Sequence, residues 1–558
     1  MRTPAAGLLY LCTALWVTAR GWRDVDGRFL GSQAKDHSFN EWMLAHVAHA
    51  VAHLDNPFFT TRQNAPDGVN LVSNVGNQLV GLLLTPLTLT AGPSLSYLVL
   101  ITANLAGTAF AWYWVLSRRI VDSQFAAVVG GAFCGFAPAL VSHSNGHPHV
   151  TAQWLVPFIV WRVVRLGQPG RTVRDGLILG ALLAAQFFIG VEILFLLAIG
   201  CAVATIGYAI LRPRDVRTRA PRALAALGIA AALVLAVTAY PLWMQFFGPQ
   251  HRIGHPGDPD WYALRLGSYV AYPTHALAGG PGSSRGLTNN PTEESSFFGW
   301  PLIVVCAAAV WWLRRDVAVR VLAITGLVCA ALSTGRTAYA PLAELPVFDA
   351  VVVARFALVT TAAIGVLLAY AIDRMIALEP SAESGGTPLR LAAGTALVAA
   401  LLPLAPTPLV ATGRPPIPDF ITSGAWRSHV APGRTLVPVP VDNLRSIRWS
   451  ASAGVGFSVP QGYFLGPTSP TDHTGRWNVE PRPTAALLTA VARGDRSPTV
   501  TEAERAQAIV DARHWKADAV VLDAHPRQYQ LRTVLDQFYG PGHRLGDVWL
   551  WNVRPLTT

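Results

Sequence analysis

Apolar stretches long enough, or nearly long enough, to cross a bilayer recur through the first 410 residues, and the arginines in the loops between them fall on alternate sides. Lipid offers no partner to a backbone N–H or C=O, so such a chain is confined to hydrogen-bonded helices packed across a membrane. Eleven spans are expected, at about 4–19, 94–117, 124–141, 150–164, 175–190, 192–211, 223–244, 298–313, 318–333, 351–372 and 389–410. A hydrophobic share of 52% and a mean hydropathy of +0.36 fit lipid as solvent. The net charge of +11 therefore speaks for orientation in a membrane and against a nucleic-acid partner.

The segment 69–91 is apolar but broken by Asn70, Asn74, Asn77, Gln78 and Pro86, which suits an interfacial or re-entrant helix rather than a lipid-exposed span. If it does not cross, Arg118/Arg119, Arg165/Arg171/Arg174, the five arginines of 212–222, Arg314/Arg315 and Arg374 all fall on one side. The short loops 142–149 and 190–191 opposite carry no Arg or Lys. The positive-inside rule then makes this a multi-pass protein of the cell membrane with a cytoplasmic N-terminus. The first segment has no small-residue cleavage site and is read as a retained span. Outside lie loop 21–68 with helix 69–91, the turn 142–149, loop 245–297 and the tail 411–558. Two domains follow: a membrane module, 1–410, and an extracytoplasmic soluble domain, 411–558. A Ser/Gly/Pro linker is expected inside at 381–388.

In the tail, TLVPVPV (435–441), ADAVVLD (518–524) and DVWLWNV (547–553) are strand patterns, and 482–492, 501–513 and 527–537 are helical ones. Their alternation predicts a small α/β domain. It contains no cysteine, P-loop or dinucleotide fingerprint. All five cysteines lie in apolar segments.

FNEWMLAHVAHAVAHL, from Phe39, has apolar residues three to four apart and predicts an amphipathic helix along the membrane surface, with Ser38 as N-cap. Asp36 stands just before it, at the lipid–water boundary. A carboxylate there either caps the helix or serves as base for a lipid-borne substrate. A sugar on a lipid phosphate is already activated, so an enzyme acting on it must deprotonate an acceptor hydroxyl and steady the departing phosphate. Arg355, at the outer end of a span, and His147 and His149 of SHSNGHPHV can supply positive or donating groups. Glu41, Glu192, Glu293 and Glu294 are candidates to line the same external cleft. Glu192 alternatively caps its helix, and Glu293 and Glu294 alternatively sit as ordinary helix-start carboxylates. His143, His147 and His149 leave room for a metal, and a divalent cation (Mg, Mn or Ca) could bridge carboxylates and phosphate, although none is required. His46, His49 and His53 are expected as a solvent-side stripe.

KDHSFNEWMLAHVAHAV, NPFFTTRQNAPDGVNL, GLLLTPLTLTAGP, GHPHV (146–150), ESSFFGWPL (294–302) and LPVFDAVVVARF (345–356) together resemble a large group of actinobacterial polytopic membrane glycosyltransferases of the GT-C type. The resemblance covers about 20–360. It implies a GT-C-like helical membrane fold, a polyprenyl-phosphate sugar donor on the outer face and an external catalytic acid, with Asp36 at the matching position. Asp24 and Asp26 remain rivals, because an acidic pair beside the first span is common in the wider class. It also implies membrane lipids as surroundings and a cell-envelope glycan or glycolipid as acceptor. The Ala-, Arg-, Gly- and Pro-rich, Lys-poor composition points to an actinobacterial source, for which arabinofuranose or mannose is the natural sugar. The expected activity is inverting sugar transfer. A lipid-linked glycan transporter or flippase, or a non-catalytic envelope assembly protein, are the alternatives. A transporter would favour pseudo-symmetric halves, which the sequence does not display.

Overall fold

The computed structural model describes residues 3–557 apart from 75, 257–258, 346 and 379–385. Among the described residues, five helices are long and apolar enough to cross a membrane: Gln78–Arg119, Gln124–His143, Val191–Leu211, Pro213–Phe247 and Val353–Ala377. Shorter apolar helices occupy Trp300–Trp312, Val317–Leu332 and Arg390–Leu404. The chain is a multi-pass membrane protein. Val191–Leu211 and Pro213–Phe247 bury only 22% and 17% of their apolar windows against protein, which leaves their side chains for lipid. The first segment is helical over Thr3–Trp22. Thr172–Phe187 packs on Pro213–Phe247 through Gly176 and Gly180, where a Cβ would meet Ala226 O at 2.7 Å and Ala230 O at 3.0 Å. Small residues there let two backbones approach closely.

Several expected boundaries move for local reasons. The expected span 124–141 is interrupted at Ala137, where Pro138 brings no N–H and opens a second turn, Pro138–His143. Segment 69–91 is helical only from Gln78, and Gly92 (φ +84°), followed by Pro93, divides it from the next helical stretch. The polar interruptions bind backbone instead: Asn70 donates to Met244 O at 2.6 Å and Asn74 to Leu465 O at 3.0 Å. The expected linker 381–388 lies outside the described residues up to 385, and a helix begins at Gly386.

The C-terminal region carries a four-stranded sheet. Its strands run Thr435–Val439, Ala517–Leu522, Val548–Asn552 and His543–Leu545 in spatial order, the first pair parallel and the rest antiparallel. Helices Pro483–Arg493, Glu502–His514 and Gln528–Tyr539 cover one face, and Thr501 and Glu504 form the capping box of the second. The helix Asn443–Ser452, which periodicity did not suggest, is capped by the Asp442 side chain on Arg445 N at 2.8 Å.

That helix seats the C-terminal region on helix Ala34–His53. Its Ile447 and Ala451 pack with Phe39, Trp42, Met43 and Ala45 of helix Ala34–His53, and the Trp42 indole donates to Ser450 Oγ at 3.1 Å. Each large apolar side chain buried in such a seam contributes about 1.5–3 kcal/mol. Ala34–His53 is therefore buried on most sides rather than presenting one apolar and one solvent face. It also begins earlier than expected: Gln33 is the N-cap, and Asp36 falls within the first turn. His46 leaves the expected solvent stripe; it is buried, stacks on Trp42 at 5.0 Å, and burial pushes its imidazole down to about 3.

Candidate active site

Asp36 is placed by three asparagines and a glycine. Asn40, one turn on, donates from its Nδ2 to both Asp36 O (2.8 Å) and Gly146 O (2.9 Å), and Asn77 donates to Asn40 Oδ1 at 2.7 Å. Asn145 Oδ1 accepts from Ser32 N at 2.6 Å and Gln33 N at 3.2 Å. Gly146 has φ +111°, and a Cβ there would meet Asp36 Cβ at 3.0 Å and Gln33 Cβ at 3.2 Å. The turn 142–149 is thereby clamped against the first turn of helix Ala34–His53.

The Asp36 carboxylate accepts a hydrogen bond from Tyr463 Oη of the C-terminal region at 3.0 Å. Burial pushes this carboxyl up to about 6; Tyr463, Arg355 and Lys35 pull the other way, and Glu293 adds to the rise. A carboxyl poised there is ionised at neutral pH yet basic enough to accept a proton.

Arg355 lies in the turn Val353–Phe356 at the head of the last long helix, and it is buried. Its Nη2 donates to Glu293 Oε1 at 2.8 Å, its Nε to the same oxygen at 3.2 Å, and its Nη1 to Glu192 Oε2. Glu192 opens helix Val191–Leu211, so three distant segments meet on one guanidinium. A buried carboxylate left unpaired costs several kcal/mol, and the bridging arginine removes that cost for two at once.

The histidines join the same cluster. His143 Nδ1 faces His147 Nδ1 at 3.2 Å, and His143 Nε2 lies 3.1 Å from Ser295 Oγ and 3.5 Å from Glu293 Oε2. His149 Nε2 lies 3.9 Å from Glu192 Oε2. Burial and the Arg355 charge hold His147 and His149 well below the usual imidazole range, so both are neutral and have a nitrogen lone pair to offer. Ligand atoms of His143, His147 and Glu293 all fall within 4.8 Å of one another, close enough to hold one divalent cation. Two imidazoles and one carboxylate suit a transition ion better than they suit the all-oxygen preference of Mg²⁺ or Ca²⁺.

Not every expected residue converges here. Glu294 turns to Thr274, accepting from its N at 2.8 Å and its Oγ1 at 2.5 Å. Asp24 and Asp26 are exposed; Asp24 accepts from Gly27 N at 2.9 Å. Glu41 is buried in a separate network: Arg414 donates to both its oxygens, at 2.7 and 2.9 Å, and His37 Nε2 lies 3.0 Å away. His37 and Arg414 hold the Glu41 carboxyl down to about 2 in spite of its burial. Arg414 also lies over the Phe29 ring and donates to Arg28 O at 2.6 Å, just after strand Ala411–Gly413 pairs with Arg28–Leu30. Glu41 thus fastens the soluble domain. Tyr463, Ser295, Asn40 and Asn145 were not anticipated; only the Asn-Gly pair at 145–146 carried a local signal, that of a tight turn.

The model of a family described as a domain of unknown function, DUF6311, matches residues 9–376. No curated protein matches the sequence. Among solved structures, the arabinofuranosyltransferase AftD from Mycobacteria is similar over 99% of this chain, with a TM-score of 0.57 and 13% identity. The chain spans 40% of the length of AftD. The oligosaccharyltransferase AglB from Archaeoglobus fulgidus, in complex with an inhibitory peptide and a dolichol-phosphate, is similar over 93% of this chain and 69% of its own, with a TM-score of 0.54 and 11% identity. The fold of this chain is similar to that of these two structures.

Proposed function

The chain belongs to the DUF6311 family, and we propose that it is an inverting glycosyltransferase that moves a sugar from a polyprenyl-phosphate donor to a cell-envelope glycan or glycolipid. The observation that carries this reading is Asp36: a carboxyl raised to about 6, hydrogen-bonded by the soluble domain, beside the cluster of Arg355, Glu192, Glu293 and the histidines. On this reading Asp36 takes the proton of the acceptor hydroxyl. That oxygen forms the new bond to the anomeric carbon while the bond to the phosphate oxygen breaks, and the phosphate leaves with the electron pair. Asp24 and Asp26, exposed at the surface, are the weaker candidates for the base.

Charge bookkeeping supports a cation for the phosphate. Arg355 is matched against two carboxylates, so the triplet is already negative before a phosphate arrives. A divalent cation held by His143, His147 and Glu293 would reverse that sign and neutralise the leaving group. The remaining parts of the proposal are about eleven spans, a cytoplasmic N-terminus and an extracytoplasmic soluble domain, an actinobacterial source, and arabinofuranose or mannose as the sugar. The distribution of loop arginines and the composition support these.

The test is Asp36→Asn in reconstituted protein supplied with polyprenyl-phosphate arabinose or mannose and an envelope glycan extract. Transfer is expected to fall by at least about 10²-fold, the range for a positioned general base, with donor binding retained. Full activity in that variant would remove Asp36 from the reaction.

A further inference from the structure

We propose that an aromatic ledge built jointly by the soluble domain and loop 245–297 is the binding site for the saccharide of the acceptor, leading its reactive hydroxyl to Asp36; this rests on the transferase reading above. The ledge starts at Tyr463, whose Oη touches Asp36. Its ring stacks on Trp477 with centroids 5.7 Å apart and planes at 17°. His255 meets Trp477 edge-on at 5.8 Å and Tyr262 at 5.7 Å, and Trp261 follows Tyr262 at 4.7 Å. Trp477 and Trp261 remain 41% and 47% exposed. The row of rings therefore runs from the base out to solvent.

Two observations make this a built feature. The hairpin of Leu465–Pro467 and Gly475–Trp477 is tied to the loop by backbone bonds, Ile253 N to His473 O at 2.8 Å and Gly475 N to Ile253 O at 2.9 Å. Asn74 holds the other edge of the hairpin, accepting from Leu465 N at 2.7 Å and donating to Leu465 O at 3.0 Å. The ring row is thus fixed from three separate segments, at the cost of exposing two tryptophans to water.

The chemistry of the row selects a sugar. The C–H faces of a saccharide stack on aromatic faces, and its hydroxyls need polar partners at the edges. Arg476 and Glu480, 3.8 Å apart at the surface, flank Trp477 and supply such partners. A prenyl chain needs an unbroken apolar surface, which the lipid-facing helices provide and this polar-edged row does not. A saccharide laid along the row has one end at Tyr463 and hence a hydroxyl within reach of Asp36. Tyr463 acts here as a positioning residue.

The experiment is saturation-transfer NMR on the full-length protein in lipid nanodiscs, titrated separately with a hexa-arabinofuranoside and a hexamannoside. One of the two is expected to bind, with ring-proton saturation, and Trp477→Ala is expected to weaken it about tenfold, the scale of one lost aromatic stack. Trp477→Leu, which keeps an apolar side chain, guards against misfolding and is expected to weaken binding similarly with an unchanged melting temperature. Absence of binding by both hexasaccharides, or unaltered affinity in both Trp477 variants, would overturn the ledge. Binding that depends on Trp477 without consumption of any polyprenyl-phosphate sugar would instead sink the transferase reading and leave the ledge standing.

Discussion

Replacing Tyr463 by Phe removes the Tyr463 hydrogen bond to the Asp36 carboxylate while keeping the ring on Trp477. A hydrogen bond to a charged group is worth about 1.5–3 kcal/mol, and water that enters the gap recovers part of it. One pH unit corresponds to about 1.36 kcal/mol, so the variant should raise the Asp36 carboxyl by about one unit, from about 6 to roughly 7. The sign follows from the role: a base works only when ionised, so the acid limb of the kcat/KM profile moves to higher pH. At pH 6.5 the ionised fraction should fall from about three-quarters to about one-quarter, a threefold loss, whereas at pH 8.5 the two proteins should be nearly equal. The assay is a pH series of initial transfer rates with donor and acceptor far below saturation. An acid limb that stays in place, or one that moves to lower pH, would refute the assignment of Asp36 as a base held by Tyr463.

Asp36 also taxes the fold. Its folded value, about 6, lies above the ordinary 3.8, so the folded protein binds the proton more tightly and loses stability as pH rises between those values, by at most about 3 kcal/mol. Asp36→Asn should therefore melt higher than wild type at pH 8 and equally at pH 3.5; a lower melting temperature at pH 8 would contradict the burial argument. Arg355→Met strands Glu192 and Glu293 without a cation and should cost about 3–5 kcal/mol, with Arg355→Lys intermediate because one ammonium cannot span both carboxylates; detergent melting curves measure this ordering. Arg414→Ala should free the soluble domain from the strand pair at Arg28–Leu30, read as rapid proteolysis near 411–418. Because Glu41 is held down to about 2, wild-type protection should be full above about pH 4.5 and fade as pH falls towards 2, whereas the variant should be cut at every pH.

The legible parts of this chain are those whose signal repeats locally. Apolar runs mark the long helices because lipid and core both demand them. The tail's strands and helices were readable from TLVPVPV, ADAVVLD and the Thr501–Glu504 pair, each of which acts over a few residues. Boundaries slipped where one residue overrules a period, as Pro138 does inside an apolar run and Gly92 does before Pro93. The contacts that make the site join Asp36 to Tyr463 and Glu293 to Arg355, pairs far apart in the chain with no shared period, so their meeting belongs to the tertiary fold.

One part of the site follows from spacing once the helix bounds are known. Successive residues of an α-helix turn by about 100°, so Asp36 and Glu41, five apart, point about 140° away from each other. Once both fall inside helix Ala34–His53 they cannot serve one cleft. His37 and Glu41, four apart, share a face and meet at 3.0 Å. The helix is accordingly two-sided: Asp36 looks to the turn 142–149 and Tyr463, and His37 with Glu41 looks to Arg414. A rotation of this helix would disturb the base and the domain anchor together. The same soluble domain touches both sides, through Tyr463 on one and Arg414 on the other, and so fixes the angle at which Asp36 is presented.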